Sequence, residues 1–157
     1  MAIISLSVTT PPRRWAIYGL LGSGKSSFLK ALKKSVLVID DDADVRDLLS
    51  RMLVEAGWKA VTAKDGKDGL EKIKEQPSLI VLDLEMPRMD GLEFLEAYMM
   101  DYPAEERAPV LVYSGKDLTE VQRDFLDKNV AGMVRKDDVS MDELSTIVKN
   151  IYQESTT

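Results

Sequence analysis

From residue 35 onward the chain alternates short apolar runs with amphipathic stretches, five times over. The apolar runs are SVLVID (35–40), KAVTA (59–63), LIVLDL (79–84), PVLVYSG (109–115) and AGMVRK (131–136). Their length and β-branched content predict strands. Between the first two, DVRDLLSRMLVEAG sets Val45, Leu48, Leu49, Met52 and Leu53 at helical spacing and stops at Gly57. GKDGLEKIKEQ, GLEFLEAYMMDY (closed by Pro103) and DLTEVQRDFLDKN read as the next three helices. The last, SMDELSTIVKNIYQ, opens on Ser140 and Glu143, the spacing of a capping box. Five β–α pairs in strict alternation predict an α/β fold, a doubly wound parallel sheet with helices on both faces. The near-continuous apolar runs at 36–39 and 79–82 belong at its centre, covered on both sides. The shorter, more polar run at 59–63 belongs at an edge.

Residues 1–34 form a separate unit, which divides the chain into a 1–34 extension and a 35–157 domain. ISLSV, a break at TTPPRR and then WAIYG predict two strands joined by a turn, and GLLGSGKSSFLKALKK predicts a glycine-rich loop running into a helix. That helix reaches Val36 without a glycine, proline or polar linker, so the unit is expected to dock directly on the larger sheet. At the other end, QESTT reads as a short floppy tail.

Composition narrows the chemistry. The 157 residues include no cysteine and no histidine, which excludes disulfides, thiolate metal sites and any histidine relay within the chain. The net charge of −6 is unevenly spread. Residues 1–34 hold six bases (Arg13, Arg14, Lys25, Lys30, Lys33, Lys34) and no acid, whereas the remaining 123 residues hold 15 bases and 27 acids, a charge of −12. A basic arm on an acidic body fits a second origin for the arm, or its packing on its own domain. The acidic body argues against nucleic acid as the main partner. With no membrane-spanning apolar run and no secretory pattern in MAIISLSV, a cytoplasmic protein is expected.

In an open parallel sheet, chemistry collects at the carboxyl ends of the strands. Those ends carry Asp40, Asp41 and Asp42 after the first strand of the domain, Asp83 after the third, Ser114 and Gly115 after the fourth, and Lys136 after the fifth. Carboxylates converging on one crevice repel unless a cation sits among them, and Mg²⁺ suits an all-oxygen site that keeps several waters. An aspartate there can attack a phosphoryl donor to form an acyl phosphate, while the cation, an ammonium and a hydroxyl share the transferred oxygens. Singly, each residue has a plainer reading: Asp42 or Asp44 as a helix cap, Lys136 as a solvated lysine. Together they would require five coincidences.

Residues 35–153 resemble the receiver domain of two-component response regulators, with the main motifs in order: VLVIDDD, LIVLDLEMPRMDGLEFL, VYSGK and VRK. The resemblance implies a flavodoxin-like sheet of order 2-1-3-4-5 with Asp83 as phosphoacceptor. It implies Mg²⁺ held by Asp40, Asp41, Asp83 and the backbone carbonyl of Glu85, with Pro87 and Gly91 shaping the loop. Ser114 would contact the phosphoryl group and Lys136 would pair with it. A sensor histidine kinase or phosphotransfer protein would be the donor. A downstream protein would read the face built by the fourth helix, fifth strand and fifth helix. Two positions depart from the family: Met133 stands at the switch position where an aromatic residue is usual, and Asp137 stands where a proline usually follows the lysine. Methionine is flexible and carries no hydroxyl, so a softer switch is expected. Such a module is a switch with slow self-hydrolysis rather than an enzyme. With no DNA-binding module after it, output is expected through protein contacts or through the arm itself.

GLLGSGKS, from Gly19 to Ser26, fits the phosphate-binding pattern G-x-x-x-x-G-K-[ST] in the strand-to-helix context that the motif demands. Gly22 and Gly24 would let backbone N–H groups face an anion, Lys25 would reach outer phosphates, and Ser26 could bind Mg²⁺. The segment resembles the start of an ABC-type ATPase, truncated; it lacks the signature and glutamine loop of that family. LIVLDLE has the form of a Walker B strand, but the receiver motif already accounts for it. A nucleotide or phosphate ligand at this loop is therefore expected to bind weakly, without ATP hydrolysis. The alternative function is a small nucleotide-binding protein, a natural or engineered fusion on a receiver scaffold.

Overall fold

A computed structural model describes residues 34–156. The expected strands, loop and helix of the basic arm, including Gly19, Gly22, Gly24, Lys25 and Ser26, lie outside the described residues. The elements follow in strict alternation: β1 (Ser35–Ile39), α1 (Ala43–Glu55), β2 (Lys59–Ala63), α2 (Gly66–Lys72), β3 (Leu79–Leu82), α3 (Gly91–Asp101), β4 (Val110–Ser114), α4 (Glu120–Asn129), β5 (Gly132–Arg135) and α5 (Met141–Ser155). All four strand pairings are parallel and the sheet order is β2-β1-β3-β4-β5, as the sequence implied.

Alternation along the strands builds two cores. Leu37, Ile39, Ile80, Leu82, Val110 and Val112 face α2, α3 and α4, where Ile73, Phe94, Leu95, Tyr98 and Leu126 meet them. Val36, Val38, Leu79, Val81, Leu111 and Tyr113 face α1 and α5, against Leu49, Leu53, Leu144, Val148 and Ile151. Burying each large apolar side chain contributes roughly 1.5–3 kcal/mol relative to exposure. β1 and β3 lie inside the sheet as their apolar runs required, and β2 is an edge. β4 is equally buried along its whole length, which its serine and tyrosine had obscured.

Several boundaries differ from the sequence reading. α4 begins at Glu120 rather than at residue 117, because Thr119 caps it in a capping box with Gln122. The stretch expected as one helix over 66–76 is α-helical only to Lys72; a 3₁₀ turn continues to Glu75, and Gln76 ends it in the left-handed region at φ 56°. The strand expected to reach residue 84 stops at Leu82, which leaves Asp83 and Leu84 free to turn. The Ser140–Glu143 capping box is present as expected.

Candidate functional site

Because every pairing is parallel, β1, β3, β4 and β5 all deliver their carboxyl ends to one rim of the sheet. Carboxylate oxygens of Asp40, Asp41 and Asp83 lie within 4.8 Å of one another there. Asp40 and Asp83 are buried, 2 % and 5 % exposed, whereas Asp41 is open to solvent. Asp40 is oriented by its own turn: its Oδ1 accepts the Asp42 N–H at 2.9 Å and its Oδ2 accepts from Lys136 Nζ at 2.7 Å. Arg46, one turn into α1, donates to the Asp40 carbonyl at 2.8 Å and holds that backbone in place. Asp42 takes the plainer role, capping α1 through the Asp44 N–H.

Lys136 Nζ lies 3.7 Å from Asp83 Oδ2, so one ammonium faces two buried carboxylates. Burial and the neighbouring Asp40 push the Asp83 carboxyl above its ordinary range, and Lys136, the Ser114 hydroxyl and the Glu85 N–H only partly offset them. For Lys136 the balance tips the other way. Burial works against its charge, but its hydrogen bond to Asp40 and the two carboxylates together hold its pKa above the usual lysine value. Ser114 is buried and its Oγ also accepts the Lys116 N–H at 3.2 Å. Glu85 is exposed, and its N–H reaches Asp83 Oδ1 at a long 3.4 Å. Met133 pairs with Val112 and packs, half-buried, on the core beneath α2, α3 and α4.

Four charged residues that the sequence did not single out, Arg46, Asp65, Arg88 and Arg135, surround this rim. Asp65, 1 % exposed, caps α2 through the Asp68 N–H at 2.9 Å and pairs with Arg88 from the β3–α3 loop. Arg135 donates to the carbonyls of Gly115 and Lys116 and to the Asp117 carboxylate, tying the loop after Ser114 to the end of β5. An Asp before glycine and an Arg in a loop look like ordinary turn residues; no local pattern announces a partner 23 positions away.

The donor set is three carboxylates with one ammonium between two of them, hard oxygen ligands carrying more negative than positive charge. Such a set fits a divalent cation of the Mg²⁺ kind.

A doubly wound parallel sheet in this order, with an acidic crevice at its carboxyl rim, defines a flavodoxin-like fold of the kind whose ligands bind at the strand ends. The model of the response regulator receiver domain matches residues 36–149, and the chain belongs to that family. The chemotaxis protein CheY, a probable assignment, of Rhizobium etli is 38% identical over 95 residues, 59% of this chain and 74% of that protein. A protein-glutamate methylesterase/protein-glutamine glutaminase of Anaeromyxobacter dehalogenans is 47% identical over 81 residues, 51% of this chain but only 22% of that protein. The chain thus spans about a fifth of the length of such methylesterase relatives. Among solved structures, the receiver domain of the Francisella response regulator 1452 superposes with a TM-score of 0.68 at 29% identity, covering 78% of this chain and 98% of that one. Among the described residues, no helix is long and apolar enough to cross a membrane.

Proposed function

We propose that this chain is a phosphoacceptor switch in which Asp83 receives a phosphoryl group from a phosphohistidine on a sensor kinase or phosphotransfer protein. The observation that carries the reading is the triad of Asp40, Asp41 and Asp83 oxygens within 4.8 Å, bordered by Lys136 and Ser114. Asp40, Asp41, Asp83 and the Glu85 carbonyl would hold Mg²⁺, which when bound neutralises the pocket and the phosphoryl oxygens. Asp83 Oδ attacks phosphorus as the bond from phosphorus to the donor's leaving atom breaks, leaving an aspartyl phosphate and the released donor. Lys136 moves its charge from Asp40 and Asp83 toward the new phosphate oxygens, and the Ser114 hydroxyl donates to another. Arg46 keeps Asp40 facing the crevice throughout. The aspartyl phosphate would then hydrolyse slowly, a switch rather than a turnover enzyme. Output would run through a protein that reads the face of α4, β5 and α5.

The test is acetyl phosphate with Mg²⁺, read by intact mass on wild type and Asp83→Asn. One phosphate should add to wild type and none to the variant, with EDTA abolishing uptake. Equal labelling of the variant would move the acceptor elsewhere and overturn the assignment.

A further inference from the structure

We infer that Asp65 and Arg88 form a strap that sets the position of the β3–α3 loop, and so tunes how well the acidic crevice takes Mg²⁺. The inference rests on the proposed function and assigns two positioning residues to it. The loop from Glu85 to Asp90 carries the Glu85 carbonyl proposed as a metal ligand, yet Glu85 itself is exposed and its N–H makes only a long contact to Asp83. The loop is held instead from α2. Arg88 Nε donates to Asp65 Oδ2 at 2.8 Å, and Nη2 donates to the same oxygen. Next to them, the Gly66 N–H donates to the Met89 carbonyl at 3.0 Å. A Cβ on Gly66 would fall 2.5 Å from Met89 Cγ and 2.7 Å from its carbonyl oxygen, so helix and loop are in backbone-to-backbone contact.

Arg88 does this from φ 63°, a left-handed conformation that a non-glycine residue adopts only at some cost. The turn is closed in the backbone by the Met89 N–H donating to the Pro87 carbonyl at 2.7 Å. Asp65 adds the side-chain tie: it is a buried carboxylate whose other oxygen is committed to capping α2, which leaves Oδ2 for the guanidinium. The two ends of the loop are tied to each other, the Gly91 N–H donating to the Leu84 carbonyl at 3.2 Å, so what the Arg88 contact steadies is the span from Glu85 to Met89 between them. With its ends tied, the span keeps its shape through the Arg88 contact, and losing that contact would loosen the Glu85 carbonyl more than Asp83 at the end of β3. Partners that orient a metal ligand typically change affinity by roughly 10–100-fold when removed.

The test is calorimetric titration of wild type, Arg88→Ala, Arg88→Lys, Asp65→Asn and the double variant with Mg²⁺, beside acetyl phosphate labelling at varied Mg²⁺. Asp65→Asn keeps a capping side chain, so folding is retained. Each of Arg88→Ala and Asp65→Asn should weaken Mg²⁺ roughly tenfold, the double variant no further, and Arg88→Lys less. The Mg²⁺ concentration for half-maximal labelling should rise by the same factor. Unchanged Mg²⁺ affinity in variants that merely melt earlier would reduce the pair to a structural tie and overturn the inference. A wild type that binds Mg²⁺ and takes phosphate keeps the proposed function intact in that event. A wild type that does neither overturns the function, and the strap with it.

Discussion

At Asp83 burial and the Asp40 charge push one way, while Lys136, the Ser114 hydroxyl and the Glu85 N–H push the other, and burial with Asp40 prevails. The carboxylate is thus held under electrostatic load. Removing that load should stabilise the metal-free protein: Asp83→Asn should melt above wild type in EDTA. Lys136→Met should do the reverse, because it strands Asp40, 2 % exposed, without its ammonium. Breaking a pair buried to this degree costs about 3 kcal/mol. Chemical denaturation of both variants in EDTA checks the opposite signs. The residues under load were legible in the sequence because each sits at a strand's carboxyl end. Arg46, Asp65 and Arg88 were not, since their partners are a backbone carbonyl and a side chain from another element. Only the folded geometry brings those together.

On the scale of elements, the ends of α2 and α3 matter more than their lengths. Asp65 is held below its ordinary 3.8 because the Asp68 N–H, and then Arg88, favour the charged form over the opposing effect of burial. A carboxyl depressed on folding contributes stability that is present above its unfolded pKa and is lost as pH falls through its folded one. The stability gap between wild type and Asp65→Asn should therefore be constant from neutral pH to about 5 and close as pH drops below 3.8. Urea titrations across that range check it. At α3, a Cβ on Gly91 would lie 2.4 Å from the Asp83 carbonyl and 2.8 Å from Leu84 Cα. Gly91→Ala should cost about 1–3 kcal/mol and slow labelling, since the backbone must move where the proposed acceptor sits. Gly115→Ala, with nothing within 4 Å of the added carbon, is the matched control and should label normally. The Ser140 capping box was readable because its pattern is local. The start of α4 was misread because Asp117 also resembles a helix-opening residue, and only Thr119 with Gln122 shows where the turn begins.

Across the whole molecule, the parallel order β2-β1-β3-β4-β5 brings Asp40, Asp41, Asp83, Ser114 and Lys136 from four strand ends into one crevice, and the same acidic bias extends over the surface. The β–α alternation indicated the layers, and the polarity of the runs placed β2 at an edge and β1 and β3 inside; the complete order came with the family resemblance. Residues 35–157 carry a charge of −12, so any cation will relieve some general repulsion. A specific site must do more than that. A ligand that binds only the folded state stabilises it by about 2.7 kcal/mol at a hundred times its dissociation constant. At roughly 4 °C per kcal/mol for a domain of this size, saturating Mg²⁺ should raise the melting midpoint by on the order of 10 °C. Asp40→Asn and Asp83→Asn should lose most of that rise, since each removes a charged ligand from the triad. Lys136→Met should show a larger rise than wild type, because Mg²⁺ would then neutralise carboxylates that no ammonium shares. The comparison is made at constant ionic strength, with K⁺ replacing Mg²⁺ in the reference melt. A rise of the same size in every variant would trace the effect to screening of the acidic body, and would remove the crevice as the place where Mg²⁺ acts.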